Sequence, residues 1–328
     1  MIELIPILTT WVGDVLRVSP NELSFANASA WKSIYGVQKG APITKSEFWD
    51  MIGLGFDAAS IGSERDYHAA LRKRELFAEA FSDRNLAKQE PIMQIFVNQL
   101  IEKIGKLGNT DVGIDMDKWF VYFSFDLTGK MAFGESFACL EKETSHEWLD
   151  LILPLFFIVN VADNFRRLPF VVTLASMIPT KWTNGIRSKI VKYSKDQTAK
   201  RLQVTSMQND FFDNVSDKVR KGEVSEEEMA AHLFTLSSVA AGETSATAMS
   251  GMLYYLLSTP IAHEKLKREV RGAYENAQDI DIASTLRLPY LQAVFKEAMR
   301  IFPVVPQGLP RLSPGAVIEG TYVPQGVR

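Results

Sequence analysis

The chain has 328 residues, 46% of them apolar, enough to bury one large core or two of ordinary size. Lys and Arg number 36 and Asp and Glu 39, a net charge of −3, which argues against the broad basic face that a nucleic-acid partner requires. Cys139 is the single cysteine, so no internal disulfide or cysteine-rich metal site can form; His68, His146, His232 and His263 are scattered, with no HExxH or HxxxH pair for a zinc hydrolase.

The N-terminus is apolar for about ten residues, half the roughly 20 needed to span a bilayer, and it lacks the basic start of a signal peptide. Residues 15–26, VLRVSPNELSFA, predict strand–turn–strand about Pro20-Asn21, and ASAWKSIYG predicts a helix ending at Gly36. A charged amphipathic helix follows over 64–81, with Leu71, Phe77 and Phe81 as its apolar members, and Ser82-Asp83 opens another to Gly105. Residues 115–133 form a long apolar helix closed by Gly134. Residues 145–162 form a further helix; its LILPLFFIVNV core is interrupted by Pro154 and Asn160, so it reads as buried or membrane-facing rather than spanning. Pro169, Pro179 and Gly185 punctuate the next stretch, and Lys189–Gln208 reads as an exposed helix.

Ser225 followed by Glu228 is a capping-box start for a helix running to Ser258, about 33 residues or roughly 50 Å. A helix that long and that apolar runs through the middle of a protein. Pro260 ends it. Shorter helices follow over 262–276 and 290–302, and AVIEGTYV predicts a β-hairpin turning at Glu319-Gly320. The fold class is mainly α with a small β region.

Two motifs carry chemistry. In VAAGETSATAMS, Ala240, Ala241 and Gly242 strip one turn of the long helix of side chains, and Glu243 and Thr244 set an acid and a hydroxyl beside it. A mid-helix Thr can bond back to a carbonyl and bend the helix, freeing a site for water. Either a flat ligand approaches this turn and receives protons there, or the turn is a small-residue helix crossing with Glu243 solvated. In EAMR, Glu297 and Arg300 share a helix face. Such pairs are common on exposed faces, but the apolar setting LPYLQAVFKEAMRIFPVVP predicts a buried pair here.

AAGETS followed by LPYLQAVFKEAMRIFPVVPQGLPRLSP resembles the cytochrome P-450 superfamily, and RVSPNELSFANASAWKSIYG, AFSDRNLAKQEP and FDLTGKMAFGESFACLE resemble its fungal members, most of all the group that includes isotrichodermin hydroxylase. The resemblance implies a P-450-like helical fold and a haem-thiolate monooxygenase acting on an apolar terpenoid or polyketide metabolite. Dioxygen, haem and an NADPH-dependent reductase would be its partners, on the endoplasmic reticulum membrane. It implies that Thr244 and Glu243 deliver protons, that Ala240 and Ala241 (where glycine is usual) face the haem, and that Glu297 and Arg300 form the core ion pair. Arg311 would bind a haem propionate. His68 and Arg72 fit the family's spacing for a second propionate contact, while counting back from Phe81-Ser82 selects Arg74. Phe156, Phe157, Phe165 and Phe170 fall where the family covers its substrate, or else pack a core.

The resemblance also implies that residues 1–328 are a partial domain. The segment supplying a third partner to the ion pair, the haem-cysteine loop and the N-terminal anchor are missing from it. Cys139, in GESFACLE, lies far from that loop and reads as a small buried apolar residue. The chain alone is therefore expected to be inactive, either as a fragment of an enzyme or as a haem-free remnant.

Overall fold

The computed structural model describes residues 13–36, 41–53, 55–108, 113–166, 181–204, 210–240, 242–305 and 308–328. The apolar N-terminal stretch, Pro169, Phe170, Pro179, residues 205–208 and Ala241 therefore lie outside the described residues. The chain divides into two compact units, each discontinuous in sequence: residues 1–74, 155–188 and 305–328, and residues 75–154 and 189–304.

The first unit carries the β structure. Strands β1 (Val15–Ser19) and β2 (Glu22–Phe25) pair antiparallel about Pro20-Asn21, as the alternation predicts. Helix α1 (Ala28–Tyr35) begins where Asn27 accepts the Ser29 N–H and ends at Gly36. The Gly36 backbone is extended, and a Cβ there would lie 2.4 Å from the Lys32 carbonyl oxygen, so glycine is needed for space. Strand β3 (Thr44–Lys45) pairs with β4 (Arg311–Leu312), joining distant parts of the chain. Helix α2 (Phe48–Gly53) follows β3. Strands β5 (Ala316–Ile318) and β6 (Thr321–Val323) form the expected hairpin, with Glu319 and Gly320 both at positive φ in its two-residue turn. Ala30, Ile43, Ile318 and Val323 make the small core beneath it.

Helix α3 (Tyr67–Ala78) is shorter than the 64–81 prediction: Ser82 caps α4 (Asp83–Leu107), which takes Pro91 within its length. Helix α5 (Met116–Phe133) starts at Asp115 and closes at Gly134 with φ 78°, the left-handed cap that glycine favours. Phe125, Met131 and Phe133 are buried on it. Asp126, 1% exposed, accepts the Cys139 and Leu140 N–H groups at 2.9 and 2.8 Å and so anchors the short α6 (Cys139–Lys142).

Helix α7 (Glu147–Arg166) takes Pro154 and Asn160 within its length and runs a turn past the predicted 145–162. Pro154, the eighth residue of the helix, has no N–H to give the Asp150 carbonyl, so the helix forgoes one intrahelical hydrogen bond there. Its window Glu147–Phe165 is long and apolar enough to cross a membrane by length and composition alone, a test that buried core helices also pass.

Helix α8 (Lys181–Gln203) begins earlier than predicted and is not exposed all round. Ile190, Ser194, Thr198 and Arg201 form a buried stripe at helical spacing. Arg201 bonds Asp210 at 2.9 and 3.2 Å and Asp213 at 2.6 Å; Arg201 and Asp210 are both almost fully buried. Trp148 stacks on Tyr193 at 4.5 Å, and Phe133 and Phe234 pack edge-on to the same indole.

The predicted 226–258 helix is composite. Ser225 caps α10 (Glu226–Phe234), accepting the Glu228 N–H at 3.1 Å, and the Glu228 carboxylate stands 3.4 Å from His232. A π-helical turn over Thr235–Ala240 follows, and α11 (Gly242–Leu257) completes the run. The departure from α geometry thus falls ahead of Thr244. Helix α9 (Asp213–Arg220) precedes the run, while α12 (Pro260–Ala273), α13 (Ile282–Thr285) and α14 (Pro289–Ile301) follow it.

Replacing Arg201 by Met leaves Asp210 and Asp213 without their cation in a buried setting. A loss of about 3–5 kcal/mol is expected, read as a fall in the urea midpoint; an unchanged midpoint would show that the pair is not an integral part of this packing.

Candidate haem-side residues and the acid–alcohol turn

Gly242 opens α11 and is buried against α5. A Cβ on it would lie 2.7 Å from Cζ of Phe125, itself fully buried. At Gly242 the small residue therefore serves a helix crossing, the second of the two sequence readings. The Ala240 backbone belongs to the π-helical turn; its side chain, like all of Ala241, lies outside what is described. π-Helical turns inside α-helices frequently mark functional sites.

Glu243 follows directly, half-buried, and its Oε2 has no hydrogen-bond partner among the described residues. Burial holds its carboxyl above the usual range, and the negative charge of Asp117 on α5 adds to the effect. Asp117 is fixed by the Ser250 hydroxyl at 2.7 Å. A carboxyl in this state keeps its proton to higher pH than an exposed glutamate. Thr244 is next to it and partly buried.

In the first unit, Arg311 on β4 lies over the rings of Tyr35 and Trp49 at 4.9 and 5.3 Å. Its Nη1 donates to the carbonyls of Leu309 and Pro310 at 3.2 and 3.3 Å. It makes no ion pair among the described residues, and burial first, then Arg74, lowers its pKa. Arg74 on α3 and Arg311 line one pocket of about 50 Å³, together with Tyr35, Lys45, Glu64 and Arg65. His68, Arg72 and Arg74 are all exposed, and of the three Arg74 alone is among the lining residues; His68 stands edge-on to Tyr67 at 5.5 Å. Of the two counts along α3, the one from Phe81-Ser82 picks the arginine that lines the same pocket as Arg311.

The predicted buried ion pair requires correction. Glu297 and Arg300 do bond twice, at 2.7 Å each, but their side chains are 53% and 71% exposed. Neighbouring apolar groups on α14 are open as well: Phe295 is 52% exposed and Ile301 41%. Apolar neighbours in sequence suggested burial, but no described segment packs over that face. Cys139, by contrast, is buried as expected. Its thiol is pushed up to about 12, first by burial and then by Asp126, which is the reverse of what a thiolate ligand needs. Phe157 and Phe165 are exposed, and the Phe156 side chain lies outside what is described. Sequence reasoning missed Phe125, Asp117, Lys45 and Trp49, because each acquires its role from a residue far away in the chain.

Comparison with known proteins defines the family of this mainly helical chain. The family model described as Cytochrome P450 matches residues 61–328. The chain is 44% identical over 316 residues to Cytochrome P450 monooxygenase ORF9 of Penicillium roqueforti, covering 96% of this chain and 62% of that protein. It is 40% identical to Cytochrome P450 monooxygenase BOT4 of Botryotinia fuckeliana, with 96% and 60% covered, and 33% identical to Cytochrome P450 monooxygenase astD of Aspergillus oryzae, with 95% and 61% covered. The chain belongs to the cytochrome P450 family and spans about three fifths of the length of these relatives.

Two outcomes follow from this geometry. Gly242→Val should lower the urea midpoint sharply, and Phe125→Leu in the same chain should recover part of the loss; no recovery would break the assigned contact. For Glu243, a folded-state pKa above the unfolded value stabilises at low pH and is lost as pH rises through the folded value. Glu243→Gln is therefore expected to exceed the parent in urea midpoint at pH 8, with the difference closing toward pH 4. A difference that stays constant with pH would remove the buried-acid assignment.

Proposed function

We propose that the chain is part of a haem-thiolate monooxygenase that oxidises an apolar fungal secondary metabolite of terpenoid or polyketide type. The observation that carries this reading is a half-buried, proton-retaining Glu243 beside Thr244, immediately after the π-helical turn, in a chain of the cytochrome P450 family. The haem, when bound, supplies dioxygen activation and electron transfer. The chain's own residues do the rest. Glu243 stores a proton at the turn, and Thr244 offers a hydroxyl to pass it on. Arg311 and Arg74 suit the two propionates: their pocket is lined by Lys45, Arg65, Arg74 and Arg311 with Glu64 as its carboxylate, and a planar guanidinium fits a carboxylate with two parallel hydrogen bonds. Phe157 and Phe165 offer apolar surface for a greasy substrate. Electrons would come from an NADPH-dependent flavoprotein reductase.

A second reading is a non-catalytic protein that keeps the fold without haem. Cys139 is the single cysteine, and it is buried, neutral and pinned beside Asp126. These 328 residues hold no other thiolate for iron.

Both readings make the same prediction about Cys139. The 328-residue chain mixed with haem, reductant and carbon monoxide is expected to lack the red-shifted Soret band of a thiolate complex, and its appearance would overturn the assignment of Cys139. In a longer form that takes up haem, Thr244→Ala should leave haem content intact and cut product formed per NADPH consumed by about tenfold or more. Unchanged coupling would sink the proton-delivery role.

A further inference from the structure

His146 sits at the junction of α6 and α7 and has no part in the proposed reaction. It caps α7 twice over. Its carbonyl accepts the Leu149 and Asp150 N–H groups at 2.9 and 3.3 Å. Its ring Nδ1 accepts the Trp148 N–H at 3.1 Å, as an Asn or Asp side chain usually does at a helix start. The turn held in this way is tightly packed: Trp148 and Ile152 are fully buried and Leu149 is 1% exposed. The Trp148 indole lies on Tyr193 of α8 and meets Phe133 and Phe234.

An imidazole nitrogen accepts a hydrogen bond only through its lone pair. Protonation at Nδ1 replaces that lone pair with an N–H, which then faces the Trp148 N–H donor to donor. The charged ring would also stand at the positive end of the α7 dipole. The surrounding groups pull in both directions. Glu147 and Asp150 of α7 and Asp126 of α5 draw a proton to the ring, while Lys142 of α6 opposes it. Phe137 and Tyr193 cover the ring at 4.9 and 6.3 Å. Cys139 of α6, a neutral thiol, hydrogen-bonds with the His146 backbone. Burial outweighs the three carboxylates, and the imidazole stays neutral to lower pH than an exposed one.

We propose that the ring of His146 is an acid-sensitive latch on α7: the helix start holds while Nδ1 keeps its lone pair and loosens when Nδ1 takes a proton. This device lies outside the oxidation reaction and does not require haem. An imidazole whose proton affinity is lowered by folding contributes stability that is present above its unfolded pKa and lost as pH falls through the folded one. The latch is therefore closed at pH 7 and opens in acid. Opening leaves the Trp148 N–H without its acceptor in a place that water reaches poorly. The first turn of α7 then frays, while the later turns keep their own backbone bonds.

Hydrogen exchange of the 328-residue chain, read by mass spectrometry on the peptide over 147–153, tests the latch; each rate is taken relative to the intrinsic rate at its pH. Protection of this peptide should fall about five- to tenfold between pH 7.5 and pH 5, the worth of one side-chain cap. His146→Asn supplies an acceptor that does not titrate, so its protection should match the parent at pH 7.5 and hold at pH 5. His146→Ala should be poorly protected at both. NMR of the histidine ring carbons in the unmutated chain gives a second measurement, with the His146 signal assigned by its absence in His146→Asn. That ring should titrate at lower pH in the folded chain than in the same chain unfolded in urea. An equal loss of protection in His146→Asn would overturn the latch, as would a His146 ring that titrates no lower folded than unfolded. So would a His146→Ala chain as well protected as the parent at pH 7.5.

Discussion

The ring of Phe125 occupies the place where any side chain at 242 would have to go. That close approach locks α5 against α11 at the point where the helical run leaves its π turn. Everything on the acid–alcohol turn inherits its position from this contact. With Gly242 held flat on the aromatic ring, Glu243 is left half-buried, without a partner for one carboxylate oxygen among the described residues, and within the field of Asp117. A larger residue at 242 would push the helices apart and admit water to the carboxyl, removing the desolvation that alters its proton affinity. Packing and chemistry are thus set by the same contact.

Elsewhere the chain treats buried charge in two contrasting ways. Arg201 is enclosed by Asp210 and Asp213, and Asp126 by two backbone N–H groups, so each interior charge has its complement. Such arrangements are structural: removing one partner strands the other. The β3–β4 pocket does the opposite, bringing Lys45, Arg74 and Arg311 together with Glu64 as the carboxylate among its lining residues. Aromatic faces of Tyr35 and Trp49 help hold Arg311 there through ring–cation attraction. In this pocket cations outnumber carboxylates among the lining residues, the reverse of the paired charges around Arg201.

Local sequence determined most of the elements. Pro20-Asn21 and Glu319-Gly320 set two hairpins, Gly134 closed a helix through its left-handed backbone, and Ser82 and Ser225 began helices by accepting a backbone N–H. These signals act over a few residues, so they can be read one residue at a time. The motif around Glu243-Thr244 was legible for the same reason, and so was the burial of Cys139. Only tertiary structure could decide the rest. Whether Gly242 faced a ligand or a neighbouring helix depended on Phe125, which no short-range pattern announces. Glu297 and Arg300 proved exposed because burial depends on what packs over a face, not on the hydropathy of its neighbours in sequence. That Lys45 and Arg311 line one pocket rests on β3 meeting β4 across most of the chain. Contacts of that separation arise from three-dimensional packing, which a linear reading cannot supply.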